Sequence, residues 1–425
     1  MKRADKKRLS HDRRAIYRGL LSLCIGLSLC IGLCFCLCSC GDGGASGNTG
    51  GDSAAEDGGS DMSEPVSRDF FAMDTYMTVT AYGENAAEAT EAAEAEVSRL
   101  DAMLSTGNKD SEIARVNAGG EAASDGSDAS DGSDATDGSD ASGDGTELSE
   151  EAGALVEQGL ALYEETDKKF DIAIYPVMEA WGFTDKNYRV PDDAELEKLL
   201  PLTDASKVHY DPDTHKVSFD EEGMAIDLGG IAKGYTSSRI MEIYKEHRIV
   251  SGLVSLGGNV QVLGTKPDGS NWRVAVQDPG IESADEAADS EDAVGDEASA
   301  QNEAAAQVQY LGVLEAADTA VITSGAYERN FTQDGVLYHH IIDPATGKPA
   351  DSGLKSVTIV SSDGTLADAL STSLYIMGKD DALDYWRSHK DQFDCILMDD
   401  DGEIYVTAPI AEQFTSEDYH VNVVK

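Results

Sequence analysis

The segment Asp227-Leu228-Gly229-Gly230-Ile231-Ala232-Lys233-Gly234-Tyr235 decides how the fold is interpreted. Residues 224–226 before it are apolar, and we predict that they form a strand ending at the acid. Two glycines then let the backbone turn tightly into a helix, whose first amides are free to bind anionic oxygen. The segment lacks the long glycine-spaced loop of a Walker motif. It predicts either an anion-binding strand-to-helix turn, with Lys233 beside the anion, or an ordinary glycine-rich turn with a surface lysine.

Strand and helix patterns surround this turn without a regular order. Alternating runs rich in β-branched and aromatic residues predict strands, and apolar residues at helical spacing predict helices. The predicted strands are residues 75–82, 252–263 (interrupted at Gly257-Gly258), 272–277, 309–314, 355–360, 396–398 and 404–407, and the predicted helices are residues 85–104, 147–166, 231–247 and 365–377. The strict strand–helix repeat of a doubly wound sheet is absent. We therefore predict an α+β fold, with one mixed α/β domain over residues 66–425.

A second motif lies in the predicted helix Thr365-Leu366-Ala367-Asp368-Ala369-Leu370-Ser371-Thr372. Asp368 and Thr372 are four residues apart and therefore share one helix face. Small and apolar residues surround them, and an acid on such a face is costly to bury unless it is paired or binds a metal. Carboxylate and hydroxyl oxygens suit Mg²⁺, which leaves room for phosphate. The motif predicts either a magnesium site or an acid at the solvent edge of an amphipathic helix.

Two further segments carry residues that suit a ligand site. His339-His340-Ile341-Ile342-Asp343-Pro344-Ala345-Thr346-Gly347 ends an aromatic strand, and a neutral imidazole there can accept a proton or bind phosphate. Lys169-Phe170-Asp171, followed by Trp181-Gly182-Phe183, offers an aromatic surface for a flat ring. The alternatives are a hairpin with two surface histidines and a set of ordinary core aromatics.

The beginning of the chain has the layout of an export signal. Basic residues up to Arg18 precede an apolar run over residues 19–38. The run ends in Leu37-Cys38-Ser39-Cys40-Gly41, which is similar to the lipobox of bacterial lipoproteins and implies cleavage before Cys40 and lipidation of Cys40. The alternative is a plain membrane anchor, since spanning takes about 20 residues. We predict a signal peptide over 1–39, a flexible tether over 40–65, and a protein held on the extracytoplasmic face of a bacterial cell membrane.

Charge and composition exclude several functions. The net charge is −48, from 80 acids and 32 bases, which argues against a nucleic-acid partner. Much of the acid lies in two low-complexity stretches, about 121–146 and 281–307, which we predict to be disordered inserts. Cys395 is the one cysteine after Cys40, so the mature chain offers no internal disulfide and no cysteine-based zinc site.

Together, in this order, these segments resemble the ApbE family of FAD:protein FMN transferases, from about Phe70 to Val423. The resemblance implies the fold of that family, FAD as substrate and Mg²⁺ as cofactor. It implies that FAD contacts Met73, Lys169, Phe170, Asp171, Asp227 and Lys233, that Gly230 (through its carbonyl), Asp368 and Thr372 bind the metal, and that His340 lies near the reacting phosphate. The chain departs from the family at Ser105-Thr106-Gly107, where members often have Ser-Thr-Tyr, so we expect one aromatic contact to the nucleotide to be missing.

The resemblance also implies a reaction and its partners. FMN passes from FAD to a Ser or Thr hydroxyl of an acceptor flavoprotein, AMP leaves, and His340 or alternatively Asp343 assists deprotonation. Extracytoplasmic subunits of electron-transport complexes are the acceptors it suggests. Three alternatives stay open: an FAD pyrophosphatase that uses water, a non-enzymatic flavin-binding lipoprotein, and a purely structural surface lipoprotein with acidic loops.

Overall fold

The computed structural model describes residues 64–121, 145–280 and 310–425, which belong to one compact unit. In these residues the strands are β1 (Pro65–Ala72), β2 (Thr75–Tyr82), β3 (Thr146–Glu147), β4 (Val208–Asp211), β5 (Lys216–Phe219), β6 (Gly252–Leu256), β7 (Asn259–Leu263), β8 (Trp272–Gln277), β9 (Tyr310–Ala316), β10 (Thr319–Gly325), β11 (Asn330–Gln333), β12 (Val336–His339), β13 (Ile342–Asp343), β14 (Lys348–Pro349), β15 (Leu354–Ser361), β16 (Asp394–Asp399), β17 (Ile404–Thr407), β18 (Phe414–Thr415) and β19 (Val421–Val424). The helices are α1 (Ala86–Leu104), α2 (Glu112–Glu121), α3 (Glu150–Glu165), α4 (Tyr175–Trp181), α5 (Asp193–Leu199), α6 (Gly229–Glu246), α7 (Gly364–Met377) and α8 (Lys379–Ser388).

A nine-stranded sheet carries the main core, in the order β1-β2-β6-β7-β10-β15-β16-β17-β19. Neighbouring strands are antiparallel except for β17 and β19, which run parallel. Two three-stranded sheets (β18-β9-β8 and β3-β5-β4) and the hairpins β11–β12 and β13–β14 complete the pairing. The predicted mixed α+β fold is therefore confirmed.

Side-chain periodicity explains how the elements pack. Met77, Val79 and Ala81 alternate along β2 and are buried, as a strand with one core face requires. On α1, Ala93 and Val97 recur at helical spacing and pack in the same cluster as these β2 residues, while Leu100, further along the same face, packs in a neighbouring cluster. The helices α6 and α7 cross against each other and against the middle of the sheet, and this crossing positions the site described below.

One predicted strand is wrong. Residues 224–226 form no strand, because the side chain of Asn117 takes the place of a neighbouring strand. Its amide nitrogen donates to the Ile226 carbonyl at 2.9 Å, and its amide oxygen accepts from the Ile226 amide at 2.8 Å. The backbone amide and carbonyl of Ile226 are thus satisfied without a neighbouring strand.

The other predicted helices and strands are present, with local differences at their ends. Glu147 lies in β3, and Ser149 begins α3 as its N-cap, accepting from the Ala152 amide. Glu121 ends α2 and Thr146 opens β3, so the first insert is bounded by regular structure at both ends. No sequence pattern predicted the strands β1, β3, β4, β5, β10, β18 and β19 or the helices α2, α4, α5 and α8.

The predicted signal peptide, Cys40, the tether up to residue 63, the rest of the first insert and the second insert lie outside the described residues. None of the helices that the structure describes combines the length and the apolar character needed to cross a bilayer.

Candidate active site

The crossing of α6 and α7 depends on two glycines. A Cβ on Gly234 would lie 2.1 Å from the Gly364 carbonyl oxygen, and a Cβ on Gly364 would lie 2.7 Å from the Gly234 carbonyl oxygen. These distances are shorter than van der Waals contact, so the two backbones touch only because neither residue has a side chain. The close approach brings Asp368 of α7 against the first turns of α6.

Asp368 is buried and anchored by two donors. The Gly234 amide donates to Oδ2 at 2.8 Å, and the Asn259 amide nitrogen donates to Oδ1 at 2.9 Å. Burial raises the pKa of Asp368, while the nearby charge of Lys233 and these two donors oppose the shift. A carboxylate oxygen has two lone pairs, so each oxygen can still accept a further bond.

The same contact affects the carbonyl of Gly230. In a regular helix the Gly234 amide would serve that carbonyl, four residues earlier. Here the amide donates to Asp368 Oδ2, so Asp368 competes for that donor, and Gly230 itself lines the cavity. Thr372 lies one turn after Asp368, with its hydroxyl 3.3 Å from Ser324 Oγ. Gly230, Asp368 and Thr372 thus present carbonyl, carboxylate and hydroxyl oxygens, a donor set that fits Mg²⁺.

Met73 reaches the cavity from a tight turn between β1 and β2. Met73 and Asp74 have φ values of 47° and 62°, as a type I′ hairpin requires. Such turns favour Asn and Gly, so a methionine here holds a strained backbone. The Met73 sulfur lies 3.8 Å from the Thr236 hydroxyl on α6, which fixes the side chain over the cavity.

Phe170 and Asp171 form a wall of the cavity opposite Gly230. A Cβ on Gly230 would lie 2.8 Å from the Phe170 ring, so this glycine too permits a close contact. Asp171 is 6 % exposed; its Oδ1 accepts from the Ala173 amide at 2.7 Å, while Oδ2 has no partner within hydrogen-bond geometry in the described residues. Burial raises the pKa of Asp171 to about 7, against the backbone amides of Ala173 and Ala205. A buried acceptor without a partner is suited to a donor group of a ligand.

His340 is held as a neutral ring. Its Nδ1 lies 3.1 Å from the Arg329 carbonyl, which can only accept, so Nδ1 carries the proton and Nε2 keeps its lone pair. The His340 amide donates to the same carbonyl at 3.0 Å. Burial, followed by the charges of Arg329 and Lys233, lowers the pKa of His340 to about 3.

One cavity of about 270 Å³ collects the predicted residues. Its lining includes Met73, Lys169, Phe170, Asp171, Asp227, Gly230, Lys233, His340, Asp368 and Thr372. Asp343 does not line it in the described structure, and its carboxylate lies 4.0 Å from Lys169 Nζ. His339 faces the core, where its Nε2 donates to the Ala350 carbonyl. Gly107 likewise does not line this cavity.

A family model named "ApbE family" matches residues 73–397. The chain belongs to the ApbE family.

Similar proteins support this assignment. The FAD:protein FMN transferase of Klebsiella pneumoniae is 31 % identical over 258 residues, covering 61 % of this chain and 72 % of that protein. The Treponema pallidum protein of the same name is 34 % identical over 238 residues, 53 % of this chain and 59 % of that protein. The crystal structure of the ApbE protein from Thermotoga maritima superimposes with a TM-score of 0.67 at 28 % identity, covering 82 % of this chain and 99 % of that one.

This ApbE-family cavity also contains charged residues that the sequence analysis missed. Glu328 and Arg329 lie between β10 and β11 and are accessible from the cavity. Burial raises the pKa of Glu328 to about 7. The positive charges of Lys233 and Arg329 oppose this shift, and the negative charge of Asp368 adds to it. Arg329 donates to the Phe183 carbonyl, and its field acts on Asp227. A glutamate and an arginine side by side before a hairpin look like ordinary surface charges in a sequence.

Asp227 completes the charge pattern at the start of α6. Its Oδ1 accepts from the Gly229 amide at 2.7 Å, which stabilises the turn into the helix. Burial raises the pKa of Asp227, and Gly229, Arg329 and Lys233 oppose the shift. The cavity therefore combines several carboxylates with Lys233 and Arg329, a set of charges suited to a cation bound together with a phosphate.

Proposed function

We propose that the protein transfers the FMN moiety of FAD to a Ser or Thr hydroxyl of an acceptor flavoprotein and releases AMP. The observation that carries the proposal is the single cavity in which Gly230, Asp368 and Thr372 offer oxygen ligands beside a neutral His340 and the cations Lys233 and Arg329. Relatives named FAD:protein FMN transferase support the substrate pair.

The metal we propose is Mg²⁺, held by the Gly230 carbonyl, Asp368 and Thr372. When bound, it neutralises the pyrophosphate oxygens and helps AMP to leave. In the described residues no group of three or more His, Cys, Asp or Glu side chains is placed to hold a metal. Mg²⁺ does not need such a group, since it is bound through one or two carboxylates plus phosphate and water.

The remaining chemistry belongs to the chain's own residues. The acceptor hydroxyl oxygen attacks the FMN phosphorus, its proton moves to Nε2 of His340, and the bond from that phosphorus to the oxygen of AMP breaks. The Arg329 carbonyl keeps Nδ1 protonated, so the base presents the correct nitrogen. The anionic pyrophosphate, once bound beside the ring, raises the pKa of His340 and makes it a better base. Lys233 and Arg329 balance charge on the phosphate oxygens.

We also propose that Cys40 is lipidated and that the domain works on the extracytoplasmic face of a bacterial cell membrane. The basic beginning, the apolar run and Leu37-Cys38-Ser39-Cys40 support this. Metabolic labelling with a radioactive fatty acid tests it: the wild-type chain should be labelled, and the Cys40→Ala variant should not.

The variant Asp368→Asn tests the proposed function. We expect transfer to fall by at least about 100-fold, because the anionic ligand at the pyrophosphate is lost. Stability should change little, since a buried charge disappears while one of the two donors to Asp368 loses its acceptor. The measurement is mass spectrometry of an apo-flavoprotein incubated with FAD, Mg²⁺ and each variant.

The matched control is Asp363→Asn on the same helix. Asp363 caps α7 by accepting from the Leu366 amide, and asparagine caps a helix as well as aspartate does. The control should transfer FMN at the wild-type rate. Free FMN and AMP without acceptor labelling would identify a pyrophosphatase, and FAD binding that is indifferent to Mg²⁺ and to Asp368→Asn, without turnover, would identify a flavin-binding protein.

A further inference from the structure

Exposed hydrophobic side chains are concentrated around the cavity. In the described residues eight large hydrophobic side chains are exposed; four of these lie on two hairpins whose turn or flanking residues line the cavity, and a fifth, Tyr188, packs on the second hairpin. We call these five the rim surface: Phe71, Tyr76, Tyr188, Val336 and Leu337. Clustered exposed apolar residues mark contact sites, whereas single ones need no explanation.

The first part of the rim surface is the β1–β2 hairpin. Phe71 and Tyr76 are cross-strand partners, and their rings meet edge to face with centroids 5.4 Å apart. Tyr76 is 81 % exposed. The turn between the two residues consists of Met73 and Asp74, which line the cavity. The aromatic pair therefore flanks the entrance.

The second part is the β11–β12 hairpin. Its turn, Asp334-Gly335, has positive φ at both residues, which fixes a tight type I′ tip. Val336 and Leu337 follow the tip and are 51 % and 52 % exposed. Arg329 and His340 close the base of this hairpin through the two hydrogen bonds already described. The exposed tip is thus rigidly joined to the proposed catalytic base.

The loop between α4 and α5 contacts both hairpins. Lys186 Nζ lies 3.6 Å from the Asp74 carboxylate on the first hairpin. Two residues later, the Tyr188 ring stacks on Phe331 of the second hairpin, with centroids 5.2 Å apart and planes at 9°. The loop therefore links the two hairpins that carry the rim surface. On β12, Val336 points to the face of Phe331 and Leu337 to the opposite face, so the two side chains lie on either side of the hairpin tip.

We propose that the rim surface is the docking site for the acceptor protein, through an extended segment in which apolar side chains flank the reactive Ser or Thr. This inference rests on the proposed function. The acceptor oxygen must reach the phosphorus beside His340, so the acceptor chain has to pass over the mouth of the cavity. Apolar side chains on either side of the hydroxyl then cover Phe71 and Tyr76 on one hairpin and Val336 and Leu337 on the other.

The size of the surface favours a transient substrate over a second copy of the chain. From the exposed fractions, the five side chains present on the order of 500 Å² of area. A stable dimer buries about 800 Å² on each partner. An enzyme that must release each labelled acceptor needs the smaller and weaker contact, since tight docking would slow product release.

The test is the double variant Val336→Ser/Leu337→Ser, measured with an apo-flavoprotein whose mature form carries FMN on a Ser or Thr. We expect the KM for this acceptor to rise at least about tenfold, because two apolar contacts are lost. The kcat and the KM for FAD should stay within about twofold, since neither side chain lines the cavity. Tyr76→Ser on the other hairpin should raise the acceptor KM in the same direction and serves if the double variant is unstable.

The matched control is Val250→Ser/Val423→Ser, which alters two valines of similar exposure away from the cavity. Its acceptor KM should equal that of the wild type. An unchanged acceptor KM in the rim variants, with the wild type active, overturns the docking proposal alone. A wild type that binds FAD and never labels the acceptor overturns the proposed function and this proposal together. Sedimentation that changes from dimer to monomer, with the acceptor KM unaltered, identifies a self-interface instead.

Discussion

The base of the cavity, where α6 and α7 cross, and the rim surface around it are built in opposite ways. At the base, α6 and α7 touch through Gly234 and Gly364, and the buried Asp368 accepts two hydrogen bonds. At the rim, two hairpins with tight turns project exposed aromatic and aliphatic side chains. A side chain added at Gly234 or Gly364 would force the two helices apart, whereas the exposed side chains of the rim can be changed without disturbing the core.

This difference corresponds to two different ligands. A metal and a pyrophosphate have fixed geometry, so the oxygens that bind them must be held to within a fraction of an ångström. A protein acceptor contributes many weak contacts over a wider area. We therefore expect substitutions at the base to change folding and chemistry together, and those at the rim to change recognition.

Gly234→Ala should have the largest effect, and it tests whether the base is as tight as described. The new Cβ would meet the Gly364 carbonyl at 2.1 Å and the Asp368 Cβ at 2.6 Å. The helices must separate, which we expect to cost about 3 kcal/mol or more in the free energy of unfolding and to abolish FMN transfer. Urea denaturation and the acceptor assay measure the two effects.

Gly107→Ala is the matched control, because a Cβ there meets only the Ser105 hydroxyl at 3.9 Å and φ is not positive. It should leave stability within about 0.5 kcal/mol. If Gly234→Ala were as mild as this control, the crossing would be able to adjust and the contrast between base and rim would fail.

Asp171→Asn tests a second property of the base, that it keeps an acid at a cost in stability. The pKa of Asp171 is about 7 in the folded chain, against an ordinary value near 3.8. Between these values the folded state holds a proton that the unfolded state has released, so stability falls as pH rises and the full penalty is present above about pH 7. Asparagine removes this penalty, and we expect a gain on the order of 2 kcal/mol at about pH 8 that disappears near pH 4.

The control variant for this experiment, Asp204→Asn, should change the stability in the opposite direction. Hydrogen bonds from Ser206 and Tyr163 lower the pKa of Asp204, so Asp204→Asn should lose stability at about pH 8. Urea denaturation at the two pH values measures both variants. An equal effect of Asp171→Asn at both pH values would show that the pKa of its carboxyl is the same in the folded and unfolded chains, so that its ionisation costs no stability.

The sequence predicted the base better than the rim, for physical reasons. Asp368 and Thr372 share a helix face at any orientation of the helix, so their spacing alone brought them together. The rim depends on contacts between distant segments, such as Lys186 with Asp74 and Tyr188 with Phe331, which no local pattern contains. Glu328 and Arg329 were missed for the same reason.

The one wrong strand has a similar cause. Residues 224–226 have the apolar character of a strand, but whether they pair with one depends on what lies beside them. Asn117, far earlier in the chain, fills that place with a side-chain amide. The family itself was identified correctly from the sequence, because its motifs are short and local and keep their order along the chain.

Met73→Asn has the smallest expected effect and sharpens the comparison at the point where base and rim meet. The two hairpins use the same type of turn, but β11–β12 has the favoured Asp334-Gly335, whereas β1–β2 has Met73 at φ 47°. Asparagine tolerates this conformation, so the variant should gain about 0.5–1 kcal/mol of stability. It also removes the thioether from the cavity, and we expect the KM for FAD to rise a few-fold while the acceptor KM stays constant. Asp334→Asn, at the equivalent turn position that does not line the cavity, should change neither stability nor the FAD KM.

Thermal unfolding and steady-state kinetics decide between two explanations of the strained turn. If Met73→Asn gains stability and loses FAD affinity, the strain is retained to place a ligand contact. If it loses both, the methionine stabilises the hairpin by packing against Thr236, and the turn belongs with the base of the cavity and not with its rim.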